Sequence, residues 1–207
     1  MKPSRPPAPS RILVIATGNP GKLREFQALL AALPFSPVAS ASLGVPVPEE
    51  TGGSFLANAL LKARHAADAT GRAAIADDSG LEVDALGGAP GIRSARYAGP
   101  GAGDAANNAK LIAALAGVPP ARRGARYRCA LAYVAGPGDP SPVTAEAAWE
   151  GCIVDTPRGG AGFGYDPYFW LPELGVTAAE LAPDEKNRLS HRGRALALLR
   201  ERLASLP

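Results

Sequence analysis

The stretch Arg11-Ile-Leu-Val-Ile-Ala-Thr-Gly-Asn-Pro-Gly-Lys22 decides the fold class. Arg11 to Ala16 is a short apolar run rich in β-branched side chains, which reads as a buried strand, and Thr17 to Gly21 behind it is turn chemistry. From about Lys22 the period changes. Leu23, Phe26, Leu29, Leu30 and Leu33 recur at spacings of three and four, one apolar stripe on a helix that Pro34 stops. A buried strand passing through a tight turn into an amphipathic helix is the opening unit of an α/β domain.

Working outward, Phe35 to Ala39 reads as a second strand. Ser54 is placed to cap a helix running to about Thr70, and Gly71 stands where a left-handed residue ends helices. Ala73 to Asp77 reads as a strand that breaks at Ser79-Gly80, with Leu81 to Asp84 alternating behind it. Asp104 is placed to cap a helix ending near Gly117. Tyr127 to Ala135 and Val143 to Asp155 read as an antiparallel hairpin around Gly136-Pro-Gly-Asp-Pro140. Ser190 starts a closing helix with Leu196, Leu199 and Leu203 on its stripe. The order predicts a single α/β domain over residues 11–207, a central mixed β-sheet flanked by helices, preceded by a disordered Pro-rich tail at residues 1–10.

The composition narrows the class. Of the 207 residues 42 are Ala, so the bulky apolar residues are few and the core is Ala-rich and closely packed. The 22 basic residues divide into 17 Arg and five Lys, at positions 2, 22, 62, 110 and 186, so the places where Lys is used carry information. The net charge of +3 is scattered, with one dense stretch at Arg122, Arg123, Arg126 and Arg128 that reads as a solvated face rather than a nucleic-acid surface. Cys129 and Cys152 have neither zinc-site spacing nor a disulfide framework and read as reduced, structural residues of a cytoplasmic protein. No apolar run reaches the roughly 18 residues of a membrane helix, and the start lacks the apolar segment of a signal peptide.

Four features, drawn from five segments, carry candidate chemistry. Thr17-Gly18-Asn19-Pro20-Gly21-Lys22 joins a strand to a helix N-terminus, where free backbone N–H groups, a helix dipole and a Lys suit a phosphate; a P-loop is excluded by Ala16 and Leu23. Glu49-Glu50 and Asp77-Asp78 bring carboxylates to a loop and a strand end, and hard oxygens from separate segments suit Mg²⁺ with substrate phosphates. Successive strand residues face opposite ways, so Asp77 and Asp78 need not share a role. Gly159 to Pro167 is a Gly-rich loop whose Phe163 and Tyr165 either lie against a planar base or plug the core. Asp184 to Gly193 brings Lys186, His191 and Arg192 to another helix N-terminus.

Read together, and in this order along the chain, Ala16-Thr-Gly-Asn-Pro-Gly-Lys22, Glu49-Glu-Thr-Gly52 with Asn58 and Lys62, Ile75-Ala-Asp-Asp-Ser-Gly-Leu81, Leu86-Gly-Gly-Ala-Pro-Gly-Ile92 with Ser94-Ala-Arg-Tyr97, Gly162-Phe-Gly-Tyr-Asp-Pro167 and Ser190-His-Arg-Gly193 resemble the inosine triphosphate pyrophosphatase (RdgB/Ham-type) family. The resemblance runs from about Ile12 to Leu203. It implies a nucleotide cleft between two lobes and Mg²⁺-dependent hydrolysis of ITP, dITP and XTP to the monophosphate and pyrophosphate by a cytoplasmic homodimer. It implies that Thr17, Gly18, Asn19, Pro20, Gly21 and Lys22 hold the triphosphate. Asp78 would be general base and, with Glu50, metal ligand, with Asp77 a further candidate ligand. Ser79 would touch the substrate, Phe163, Gly164, Tyr165 and Asp166 would line the base and sugar pocket, and Lys186, His191 and Arg192 would close it. Lys62 is read as structural.

A 6-oxo purine offers an acceptor to Arg192 or to backbone N–H donors, whereas the 6-amino group of adenine is itself a donor and would leave buried donors unpaired. Two other readings are a Maf-like pyrophosphatase acting on modified pyrimidine nucleotides, whose motifs fit less well, and a nucleotide sensor without turnover. The carboxylate set argues against the sensor, because a binder of polyanions gains little from carboxylates without a metal.

Overall fold

The computed structural model describes residues 11–30 and 35–204; the tail expected at residues 1–10 and the helix stop expected at Pro34 lie outside the described residues. The strands are β1 (Arg11–Ile15), β2 (Phe35–Ala39), β3 (Ala73–Val83), β4 (Gly124–Val134), β5 (Val143–Ile153), β6 (Phe169–Leu171) and β7 (Val176–Thr177). They form one sheet in the order β2-β1-β3-β4-β5-β6-β7, in which β2, β1 and β3 run parallel and the other neighbours antiparallel. The mixed sheet is the expected one.

The helices are α1 (Pro20–Leu30), α2 (Phe55–Thr70), α3 (Asp104–Ala114), α4 (Pro183–Leu189) and α5 (His191–Ala204). Ser54 caps α2, its side chain accepting from Ala57 N, and Gly71 ends it in the left-handed region at φ 67°. Because the side chains of β3 alternate, its even residues face α2 and its odd residues face α1 and α5. On the α2 side, Ala59, Ala63, Ala66 and Ala67 pack directly on Ala74, Ala76, Ala130 and Ala132 of β3 and β4. On the other side Phe26 and Leu30 of α1 and Ala195, Leu196 and Leu199 of α5 cover Leu13, Ile15, Ile75 and Leu131. A third cluster, with Leu81, Val83, Tyr127, Trp149 and Phe169, surrounds the far halves of the long strands. β3 and β4 therefore run out of one core and into another, and the cleft lies where they cross between the two lobes.

Four local expectations change. β3 does not break at Ser79-Gly80: it continues to Val83, because the missing side chain of Gly80 admits the turn Gly91–Arg96. A Cβ at Gly80 would lie 2.4 Å from the Gly91 carbonyl oxygen and 2.5 Å from Ser94 Oγ. Helix α1 begins at Pro20, a favoured first-turn residue, rather than at Lys22. Asp104 lies inside α3, whose N-cap is Gly103 and which ends at Ala114. Residues 183–189 form a separate helix, divided from α5 by the extended Ser190, whose Oγ accepts from Gly193 N.

Candidate active site

The loop after β1 is closed on itself. Asn19 Oδ1 accepts from Gly21 N at 2.8 Å and Lys22 N at 3.1 Å, and Thr17 Oγ1 accepts from Asn19 N at 3.2 Å. Three amides expected to be free for an anion are thus engaged, and the charge this loop offers resides in Lys22. Its Nζ lies 3.0 Å from Asp77 Oδ2. Gly21 is small for a reason of packing: a Cβ there would meet the Phe163 ring at 2.5 Å, so the aromatic loop of one lobe rests on the first turn of α1 in the other.

Asp77 and Asp78 face opposite sides of the sheet and keep different company. Asp77, buried among α1 and α5, receives Lys22, Arg192 Nη2 at 3.0 Å and Ser79 Oγ at 3.1 Å. Burial alone would raise its carboxyl, yet the charges of Lys22, Arg192 and Lys62 hold it well below the usual carboxylate range. Asp78 faces α2, where Asn58 Nδ2 donates to Oδ2 at 2.9 Å and Lys62 Nζ donates to Oδ1 at 3.1 Å. Glu50 comes from the loop before α2, pairing with Lys62 at 2.7 Å and with Arg96 Nη1 at 2.8 Å.

The two carboxylates are driven apart in basicity. Burial raises Asp78, with the Glu50 charge adding to it and Lys62, Lys22 and Asn58 opposing. Glu50 also feels burial, but Lys62 and Arg96 bring it down to about 2. One carboxylate is firmly ionised and the other is the more basic, which is how environment separates charge-holding from proton-taking groups.

On the opposite wall Lys186 Nζ lies 2.7 Å from Asp166 Oδ2 and 3.0 Å from Glu25 Oε1. Arg192 is shared by Asp77, Ser79 and Glu25. Asp166 also accepts from Tyr127 Oη at 3.1 Å and Phe163 N at 2.8 Å. His191 stacks on Tyr127 with ring centroids 4.7 Å apart and planes 10° from parallel. Burial and the nearby Arg192 and Lys186 charges push His191 well below its usual value, so its ring is neutral. Lys186 stands over the Phe163 ring at 4.7 Å.

These groups line one cleft of about 270 Å³, which takes in Thr17, Lys22, Glu50, Asp78, Phe163 and Lys186. Every segment singled out in the sequence reaches it, though Asp77 lies behind the wall rather than in it. Lys62, read as structural, sits between Glu50 and Asp78 in the middle of the site. Asn58 and Lys62 are one helical turn apart on α2, and with so few lysines in the chain that spacing was the available signal. Glu25 and Tyr127 carried no signal of their own, Arg96 entered only as part of the Ser94–Tyr97 stretch and Asp104 read as a helix cap, because each acts through a partner distant in sequence. Three of the four arginines of the basic stretch are paired locally: Arg123 with Asp155, Arg126 with Asp84 and Glu150, and Arg128 with Glu146.

Glu50 and Asp78 converge on a single ammonium, so cationic charge is favoured between them. Among the described residues no cluster of three or more His, Cys, Asp or Glu could hold a metal. A pair of carboxylates is the donor set with which Mg²⁺ is bound when phosphates and waters complete its shell, and the residues fit it.

Comparison with known proteins agrees in extent and architecture. The chain is 56% identical over 196 residues to a dITP/XTP pyrophosphatase of Methylococcus capsulatus, covering 95% of this chain and 98% of that one. It is 58% identical to a dITP/XTP pyrophosphatase of Pseudomonas aeruginosa, covering 92% and 96%. A solved HAM1 protein from Coxiella burnetii superposes with a TM-score of 0.86 at 45% identity, covering 95% of this chain and all of that one. A solved nucleoside-triphosphatase, dITP/XTP pyrophosphatase, from Mycobacterium abscessus superposes at 0.70 with 46% identity, covering 91% and 98%. The model of the Ham1 family matches residues 13–202, from the first strand to the last turns of α5, and the chain belongs to that family.

Proposed function

We propose that this protein hydrolyses non-standard purine nucleoside triphosphates, ITP, dITP and XTP, to the monophosphate and pyrophosphate. The observation that carries the reading is the cleft itself: a carboxylate pair of divided basicity, Glu50 and Asp78, faces a wall of cations, Lys22, Lys186 and Arg192. Relatives at 56–58% identity bear the name dITP/XTP pyrophosphatase. Mg²⁺ would be held by Glu50 and Asp78 and, when bound, supplies neutralising charge to the phosphate oxygens.

The remaining work falls to the chain. Asp78 orients a water and takes its proton on a carboxylate oxygen, Asn58 and Lys62 having fixed that carboxylate in place. The water oxygen bonds to the α-phosphorus as the bond from that phosphorus to the bridging oxygen breaks, and pyrophosphate departs with the electron pair. Lys22 stabilises the charge that develops on the leaving group. Phe163 offers its ring to the purine.

Base choice is reassigned within the same wall. Arg192 is turned to Asp77, Ser79 and Glu25, and the Phe163 and Gly164 amides to Asp166 and Asp104, so the donors left to a 6-oxo group are the third N–H of Lys186, beyond the two on Asp166 and Glu25, and the neutral ring of His191. The enzyme acts as a cytoplasmic homodimer, for which sizing at twice 21.1 kDa is the check.

The test is pyrophosphate release from ITP, XTP, GTP and ATP, with Mg²⁺ and with EDTA. ITP and XTP should exceed ATP by about a hundredfold in kcat/KM, and EDTA should abolish turnover. Asp78→Asn should keep the fold and lose at least about a thousandfold in kcat. Equal rates on all four nucleotides, or normal turnover by Asp78→Asn, would overturn the reading.

A further inference from the structure

Helix α3 contributes none of the site residues named so far as acting on substrate, yet it grips the backbone of the aromatic loop. Asp104 Oδ2 accepts from Gly164 N at 2.7 Å, and Asn108 Nδ2 donates to the Gly164 carbonyl oxygen at 2.9 Å. The two side chains stand one turn apart on one face of the helix, so they hold both polar groups of a single residue some 56 to 60 positions away. Between them, Asn107 turns to the other wall, accepting from Ala98 N at 2.8 Å and donating to the Ala95 carbonyl oxygen at 3.2 Å. Tyr165 Oη joins the two walls by donating to the Ser94 carbonyl oxygen at 2.7 Å.

Gly164 lies between Phe163 and Tyr165, in a loop with glycines also at 159, 160 and 162. A loop so rich in glycine has little conformational preference of its own, so the angle of its aromatic rings must be imposed from outside. The contacts that impose it on this side come from α3. We infer that Asp104 and Asn108 are positioning residues for base selectivity: by clamping the Gly164 peptide they set the plane in which Phe163 meets the purine and the distance from that plane to Lys186 and His191. The clamp also withdraws the Gly164 N–H from the base, so what this loop offers the purine is chiefly its aromatic face. The inference rests on reading the cleft as a nucleotide site.

Four variants test it: Asp104→Ala, Asn108→Ala, the double variant, and Asp104→Asn, which keeps an acceptor oxygen. The first readout needs no nucleotide. Hydrogen exchange at the Gly164 amide should speed up at least about tenfold in Asp104→Ala and stay near wild type in Asp104→Asn. The second is the ratio of kcat/KM for ITP over ATP, which should fall about tenfold in the double variant. The kcat for ITP should change by less than about threefold, and Asp104→Asn should retain most of the ratio.

Unchanged exchange overturns the clamp. Faster exchange with an unchanged ratio overturns its role in selectivity, and so does an equal loss on every nucleotide accompanied by a lowered Tm. A wild-type enzyme that releases no pyrophosphate from any of them overturns the reading of the cleft, and the exchange result tells that failure apart from failure of the clamp.

Discussion

At Lys62 one ammonium stands between two carboxylates, 2.7 Å from Glu50 and 3.1 Å from Asp78, with its side chain only 5% exposed. Its role divides into two parts. It keeps two like charges together in a partly buried place, and it orients Asp78 without neutralising it, since burial still leaves that carboxyl raised. Lys62→Met removes the ammonium but keeps the length and volume of the side chain. Glu50 then keeps only Arg96 and Asp78 only the Asn58 amide, and the variant should lose about 2–4 kcal/mol at neutral pH, seen as a lower urea midpoint. Millimolar Mg²⁺ should raise the midpoint of the variant more than that of the wild type, because a cation that binds only the folded state stabilises it by mass action. Equal midpoints in the absence of metal would show that the pair does not depend on Lys62.

Among the elements, β3 shows what could be read from sequence and what could not. Strand alternation puts Asp77 and Asp78 on opposite faces and leaves their roles free to differ; in the structure one meets Lys22 and Arg192, the other Asn58 and Lys62. The hydrophobic periods likewise place α1, α2, α5 and the β4–β5 hairpin to within a few residues. Ser79-Gly80, by contrast, has the composition of a turn and lies in mid-strand. Its glycine answers a neighbour 11 residues on, Gly91, and no local rule carries that information. The same holds for Asp104, which resembles a cap and instead serves a loop 60 residues away. Short pieces such as α4 and β6 have too few residues for a period to show. Gly80→Ala should cost about 1–3 kcal/mol by forcing the Gly91–Arg96 turn off the strand. Urea unfolding would register this, and a midpoint equal to wild type would mean the turn is not seated there.

For the molecule as a whole, charge and packing set the conditions under which the cleft holds together. Burial, aided by Arg192 and Lys186, keeps His191 neutral well below its usual value of 6.5. As pH falls below that value the unfolded chain takes up a proton that the folded chain refuses, so stability declines, by up to about 1.4 kcal/mol per pH unit. Glu50, at about 2 against an ordinary 4.5, adds a second decline that begins only below 4.5 and runs down toward 2; the raised Asp78 offsets part of it. Urea midpoints should therefore begin to fall as the pH drops through about 7 and keep falling below 5.5, toward the lowered pKa of His191, with the Glu50 decline added below 4.5. His191→Asn should flatten the first step and leave the second; an unchanged first step would place its origin elsewhere.

The alanines between α2 and the sheet fix a length. Where alanine meets alanine in this layer, the helix rides close enough for the Asn58 amide and the Lys62 ammonium to meet Asp78 at 2.9 and 3.1 Å. Ala63→Val would act as a shim, lifting the helix by a fraction of an ångström, and turnover should drop even where the stability cost is no more than about 1–3 kcal/mol. The alanine content of the chain, at first sight a matter of composition, is in this layer the gauge to which the reacting distances are cut.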